Sequence, residues 1–492
     1  MTKVELIFIP LAAAGHIVSA VELAKLLIDR DERLSITVIP MKFPFFSISN
    51  FTHSVPSSRI RFIDLPVDEF DPSLDIRKYF NIMVENSKHV VKETVSKLIS
   101  QSSSQDQQEE DFPKLGGFVV DMVCTAMIDV ANDFGVPSYI FFASGAASLG
   151  LFFYMQDLHD EQGKDLTEFE NSDAELAVPG LVNPVPASAL PSSFFQKDRL
   201  QLALTTIRKY RETKGIIVNT FSQLEPYTLK SLADGRIPPV YPVGPILNLK
   251  GNGQDGLNNN SIMFKETMQW LDEQPPSSVV FLCFGSMGSF DVEQVREIAS
   301  ALENSGHRFL WSLRKPPPQD MTESPTDYSD PRDALPDGFL DRTADVGRVI
   351  GWAPQVDVLA HPSIGGFVSH CGWNSTLESI RFGVPIAAWP IYAEQQLNAF
   401  HLVVELGLGV EIKLDYRKDQ HYKPPIVNAS DIERGIRSLM DRSGERIKLL
   451  NKMSKYSKEA LEDGGSSYKT IGCLIEEIMD QVRRNGEFVS SC

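Results

Sequence analysis

VELIFIPLAAAGHIVSAVELAKLLI, residues 4–28, and LSITVIP, residues 34–40, together settle the fold class of this chain. The apolar run 4–10 reads as a buried strand. Ile17, Ala20, Val21, Ala24, Leu27 and Ile28 then fall on one face of a helix, and 34–40 is a second strand. The alternation continues through a helix over 79–99, a strand over 117–121, a helix over 125–134 and a strand over 137–142. Strands separated by helices pair in parallel, and a parallel sheet needs helices on both faces. An α/β architecture follows.

The pattern stops after Val240-Tyr-Pro-Val-Gly-Pro245. The Gly/Asn-rich run Leu249–Asn260 has no apolar period and reads as a connection between domains. A second set begins with a strand at 279–284, a helix at 292–302 and strands at 309–313, 348–351 and 366–369. A helix at 374–381 and a strand at 385–389 complete it. The expected organisation is a first domain over 1–245, a linker over 246–262 and a second domain over 263–468. A C-terminal helix and tail over 469–492 is expected to pack back on the first domain. The Pro-, Asp- and Ser-rich segment 315–337 reads as a mobile surface loop.

Composition narrows the function. With 492 residues, the chain can bury two or three full cores. Lys and Arg number 47 against 65 Asp and Glu, a net charge of −18 that repels nucleic-acid backbones and anionic lipid. Five scattered cysteines, none in a CxxC pair, argue against a disulfide framework or a zinc site. No apolar stretch approaches the ~20 residues that span a bilayer, and Glu5 and His16 interrupt any signal-type core. A cytoplasmic protein without stable membrane insertion is expected.

Two motif matches fail their context. Gly251-Asn-Gly-Gln-Asp-Gly256 matches the dinucleotide fingerprint in letters but neither follows a strand nor opens a helix. Asp29-Arg-Asp31, a DxD of the kind some sugar transferases use for metal, sits where the first helix reaches the surface as a charge cluster. Gly285-Ser286-Met287-Gly288 follows a buried strand directly, so Ser286 is open to two readings, a phosphate contact or a plain strand-end turn.

Residues 352–395, WAPQVDVLAHPSIGGFVSHCGWNSTLESIRFGVPIAAWPIYAEQ, concentrate the chemistry. Strand 366–369 runs through the tight turn His370-Cys-Gly-Trp373 into a helix that begins near Asn374-Ser375. A helix N-terminus past the C-end of a parallel strand presents free amides where a diphosphate sits. His370, Asn374 and Ser375 add donors. Glu378, one turn on, reaches a ligand's ribose hydroxyls. Trp352 and Gln355 offer a ring and an amide suited to a base, and Glu394-Gln395 a carboxylate and an amide suited to sugar hydroxyls.

Nearly position for position, this string resembles the signature box of plant secondary-product UDP-glycosyltransferases, the family 1 group, and the resemblance extends over essentially the whole chain. It implies the GT-B fold, two Rossmann-like doubly wound domains facing each other across a cleft. It implies that Trp352 stacks on uracil with Ala353 and Gln355 alongside, and that Glu378 takes the ribose. His370, Asn374, Ser375 and Ser286 would hold the diphosphate, and Trp373, Glu394 and Gln395 the sugar. A terminal Gln in the box usually accompanies glucose. Ala393, with Phe142, Ala143 and Ser144, would line the acceptor side. The partners implied are a UDP-sugar and a small-molecule acceptor, with no metal or resident cofactor and a monomeric chain.

His16 opens the first helix and Asp121 ends a strand of the same sheet, so both reach one rim. On these residues alone His16 is either a capping and packing residue or a base. The family's His–Asp dyad, matched at both positions, implies the base. The reaction implied is in-line displacement at the sugar C1 by an acceptor hydroxyl, inverting to a β-glucoside, with the leaving diphosphate stabilised by amides. Two departures stand out: Ser19 where many members have Pro, and Ala143 where many have Thr. Acceptor specificity is expected from 79–84, 141–148 and 187–195, whose apolar content suits a flavonoid, phenylpropanoid or terpenoid. A nicotinamide oxidoreductase would need glycines in Pro10-Leu-Ala-Ala-Ala-Gly15-His16 that are absent. A non-catalytic sugar-nucleotide binder would not need His16 and Asp121.

Overall fold

Both halves of the chain build a parallel sheet with the same strand order. The computed structural model describes residues 2–42, 57–66, 76–103, 113–249, 262–317, 324–418 and 424–490. The first half contributes β1 (Val4–Ile9), β2 (Leu34–Val38), β3 (Ile60–Phe62), β4 (Lys114–Asp121), β5 (Ser138–Phe142), β6 (Gly215–Val218) and β7 (Val240–Pro242). They lie in the order β3-β2-β1-β4-β5-β6-β7, all parallel. The second half contributes β8 (Val279–Cys283), β9 (Arg308–Ser312), β10 (Gly347–Ile350), β11 (Ile364–Ser369), β12 (Ile386–Ala388) and β13 (Gly409–Glu411). Their order is β10-β9-β8-β11-β12-β13, again parallel. Counted from its own first strand, each sheet runs 3-2-1-4-5-6, and the first adds a seventh strand at the end. In that topology a crevice opens beyond the C-ends of strands 1 and 4.

The sequence patterns account for the packing. All six residues of β1 are buried, and so are Ile17, Ala20, Val21, Ala24, Leu27 and Ile28 on α1 (Ala14–Arg30). Glu5, the charged residue inside β1, accepts from the Ser35 and Thr37 hydroxyls and meets Arg61 at 3.3 Å, so it is buried with partners. Around the cleft lie α2 (Ala146–Asp160), α3 (Gln355–Ala360), α4 (Trp373–Phe382) and α5 (Gln395–Phe400). The last helix, α6 (Ser466–Ser490), returns to the first sheet. There Ile471, Leu474, Ile475, Ile478, Met479 and Val482 share a core with Val4, Leu6 and Val119. The Ser467 hydroxyl donates to the Gly244 carbonyl, so this return runs beside the outgoing chain.

Segment 315–337 differs from the surface loop its composition suggests. Arg314–Lys315 pairs antiparallel with Thr326–Asp327, and Ala334, Leu335 and Phe339 are buried in the second core. Those apolar anchors end a run whose Pro, Asp and Ser hide them in any composition window. Residues 318–323, most of the 246–262 linker and the Gly251–Gly256 match lie outside the described residues. In the DxD, Asp31 accepts from Arg33, and Arg30 stacks on the Tyr468 ring at 3.5 Å. Cys124, Cys283, Cys371 and Cys473 are free thiols. Among the described residues, no helix is long and apolar enough to cross a membrane.

Candidate active site

β1 and β4 are neighbours in register, Ile9 opposite Val120, so the turn after β1 and the end of β4 share one rim. That adjacency brings His16 to Asp121. His16 Nδ1 lies 2.9 and 3.1 Å from the two Asp121 oxygens, and Asp121 also accepts from the backbone N–H groups of Leu11 and Val123. Nδ1–H therefore donates to the carboxylate, and Nε2 on the far side of the ring keeps its lone pair. The His16 side chain is 27% exposed and that of Asp121 is fully buried. Burial lowers the His16 pKa, but the charge and hydrogen bond of Asp121, with help from Glu394, raise it above its ordinary value. The imidazole is thus a base strengthened by a buried carboxylate.

The second rim is built the same way. Cys283 of β8 stands opposite Ser369 of β11, which sets the turn at Gly285-Ser286 against His370. Gly285 has φ +75°, and a Cβ there would come within 2.5 Å of His370 Nε2; at Gly372 the distance would be 2.6 Å. The ring is held between two glycines that only glycine fits. Burial pulls the His370 pKa down to about 4, so a neutral imidazole faces this point. Gly372 caps α4 without any side-chain hydrogen bond to its first turn, which leaves the N–H groups of Trp373, Asn374 and Ser375 directed outward.

Trp352 and Gln355 flank that helix. The Trp352 N–H donates to Asp327 Oδ1 at 3.0 Å, and the Arg314 guanidinium lies 4.8 Å from its ring centroid. Ala353 is buried beside them. Gln355 Nε2 donates to Ser375 Oγ at 2.8 Å and to Glu378 Oε2 at 2.7 Å, joining three of the expected nucleotide contacts in one network. Burial pushes the Glu378 carboxyl up to about 7, opposed by the Gln355 hydrogen bond. Gln395 Oε1 accepts from the N–H groups of Ile391 and Tyr392, so its Nε2 is the donor end. Ala393 holds a left-handed φ of 58° at the bend that presents Glu394, whose Oε1 accepts from Ser144 Oγ of the first half at 3.2 Å.

Three expected positions are placed differently. Phe142 does not face the cleft: it is fully buried in the first core, edge-on to Phe152 and Tyr210, because β5 is a central strand covered on both faces. Trp373 is 5% exposed and its indole N–H goes to the Asn219 carbonyl at 2.6 Å, with its ring against Gly145. Its side chain joins the halves, and its backbone N–H is what it offers to a ligand. The Asn374 amide likewise points into the first half. Sequence reading also missed Arg417, whose guanidinium donates to the Ser188 and Leu190 carbonyls and covers the Phe195 ring at 5.0 Å. Nothing in the sequence marks the Trp373, Asn374 and Arg417 contacts, because each joins one half of the chain to the other.

Two Rossmann-like halves that meet rim to rim, one with a carboxylate-backed histidine and one with an open helix N-terminus, define a two-domain nucleotide-dependent transferase. Residues 237–418 match the family model described as UDP-glucoronosyl and UDP-glucosyl transferase. The chain is 53% identical over 478 residues to UDP-glycosyltransferase 71A15 of Malus domestica, covering 96% of this chain and 99% of that one. It is 52% identical to UDP-glucose flavonoid 3-O-glucosyltransferase 6 of Fragaria ananassa, covering 96% and 98%. The crystal structure of Medicago truncatula UGT71G1 complexed with UDP-glucose superposes with a TM-score of 0.83 at 42% identity, over 97% of this chain and 98% of that one. The chain belongs to the plant family 1 UDP-glycosyltransferases and, as such, is a GT-B enzyme.

Proposed function

We propose that this enzyme transfers glucose from UDP-glucose to a phenolic hydroxyl of a flavonoid-type acceptor, with inversion and without a metal. The contact that carries the reading is His16 Nδ1 on Asp121 at 2.9 Å, beside Glu394 and across from the α4 N-terminus. Nε2 takes the hydroxyl proton as the oxygen attacks C1 of the sugar, and the bond from C1 to the diphosphate breaks as UDP leaves. His370 and the first-turn amides of α4 stabilise the negative charge that develops on the diphosphate, the task a cation performs elsewhere. The halves take separate roles, acceptor binding and base in the first, donor binding in the second. The Fragaria ananassa relative is named for UDP-glucose and a flavonoid, and the Medicago truncatula structure holds UDP-glucose, which supports the same donor and acceptor class. The surplus of acidic residues supports a monomeric chain that avoids nucleic acid, and the scattered, unpaired cysteines support a cytoplasmic one.

Incubation with UDP-glucose and a panel of phenolic and terpenoid alcohols, in EDTA, is expected to yield one hexose per acceptor and one UDP. NMR should show a β-anomer. An α-glucoside, or loss of transfer on chelation, overturns the proposal.

A second test follows from Glu378. Ribose hydroxyls donate to its ionised form, so UDP affinity should fall as pH drops through about 7. Gln355→Ala removes the bond that lowers this pKa. Calorimetric titration should then find the midpoint of the affinity loss at higher pH than in the wild type. An unmoved midpoint removes Glu378 from the ribose site.

A further inference from the structure

Asn374 is the second residue of α4, yet its amide does not face the donor side. Nδ2 donates one hydrogen to the Gly15 carbonyl at 3.2 Å and the other to Ser19 Oγ at 3.2 Å. The Ser19 hydroxyl in turn donates to the Gly15 carbonyl at 3.1 Å. Ser19 is 2% exposed, so the triangle is sheltered from water at its base. The Gly15 carbonyl belongs to the peptide bond that carries His16. A serine hydroxyl bonded four residues back is ordinary in a helix. Here the same hydroxyl also meets a residue from the other half of the molecule.

Resting on the function proposed above, we infer that Ser19 and Asn374 form a latch that fixes the backbone of the base His16 when the donor half closes on it. Both are positioning residues. Both Nδ2 hydrogens of Asn374 are spent on the first half, and Oδ1, an acceptor, lies 3.3 Å from the Ser19 hydroxyl. Its side chain therefore adds no donor for a diphosphate, and its backbone N–H remains at the α4 N-terminus. The latch depends on the Ser19 hydroxyl; a proline at this position would have none with which to close it.

The test is a double-mutant cycle on Ser19→Ala and Asn374→Ala, with Ser19→Thr as the variant that keeps the hydroxyl. A hydrogen bond lost from a positioned backbone corresponds to about a fivefold fall. Ser19→Ala is thus expected to lower kcat about fivefold with UDP affinity unchanged and the acid limb of the pH profile in place, since Asp121 still holds the ring. The double variant should be no slower than Asn374→Ala alone, and Ser19→Thr should recover wild-type kcat. Additive losses, an unchanged kcat in Ser19→Ala, or a tenfold loss of UDP affinity in Asn374→Ala with kcat retained, would each overturn the latch. Should the wild type transfer no hexose at all, the function proposal fails by itself. The same cycle is then read in thermal unfolding of the UDP complex, where coupling between the two sites supports the latch and zero coupling overturns it.

Discussion

His16→Ala is expected to lower kcat for glucosyl transfer roughly 10³-fold, the scale of a lost general base, while UDP binding measured by calorimetry is unchanged. The expectation rests on division of labour. Among the described residues the His16 side chain hydrogen-bonds only to Asp121, and of the second half only the charge of Glu394 reaches it. Normal turnover in this variant would remove His16 from the reaction. Asp121→Asn gives a sharper signature. Burial alone lowers the His16 pKa, and the Asp121 carboxylate reverses that. Without the charge the pKa falls, so the acid limb of kcat/KM should move to lower pH even as the maximum drops. Stability carries the opposite sign. A histidine whose pKa is raised by folding stabilises the protein fully below the unfolded pKa of about 6.5, and loses that contribution as pH rises through the folded value. The pair thus holds the fold best where the base is protonated and idle. Thermal unfolding across that range should show the contribution in the wild type and its absence in Asp121→Asn.

Gly285→Ala is expected to weaken UDP binding by roughly 10- to 100-fold, the range of a charge-assisted hydrogen bond to the diphosphate. The added Cβ would sit 2.5 Å from His370 Nε2, which real contacts do not allow, and φ of +75° adds strain of about 1 kcal/mol or more. The same ring is also packed close to Gly372, where an added Cβ would come within 2.6 Å of Nε2. His370 must swing away and the diphosphate loses its donor. Calorimetry should show the affinity loss while the His16-dependent pH profile keeps its shape. Full affinity would mean that His370 does not meet the diphosphate.

The strands and the His16–Asp121 pair were legible because they follow from rules local to a sheet. A buried parallel strand is a short apolar run, the next residues turn at its C-end, and neighbouring strands share that rim. The strand–turn–helix frame within residues 352–395 was legible for the same reason, since β11 ends at the turn that opens α4. What stayed hidden was set by the meeting of the halves. Whether the Trp373 indole faces a sugar or Asn219 depends on how close a second sheet comes. The direction of the Asn374 amide depends on a carbonyl in α1. Phe142, expected on the acceptor side from the family resemblance, is instead buried with residues of α2 and of the helix Lys197–Tyr210.

The chain crosses between its halves twice, and the crossings touch: Ser467 donates to the Gly244 carbonyl, beside Ile246, which Asn219 holds through both its N–H and its carbonyl. A body pinned along one short line keeps a single easy motion, rotation about that line. Sliding and twisting of one sheet over the other would tear α6 from the core it shares with β1 and β4. Any rotation about that line moves the rim residues farthest from it the most. A cut in the outgoing connection alone would leave both halves on the remaining pin.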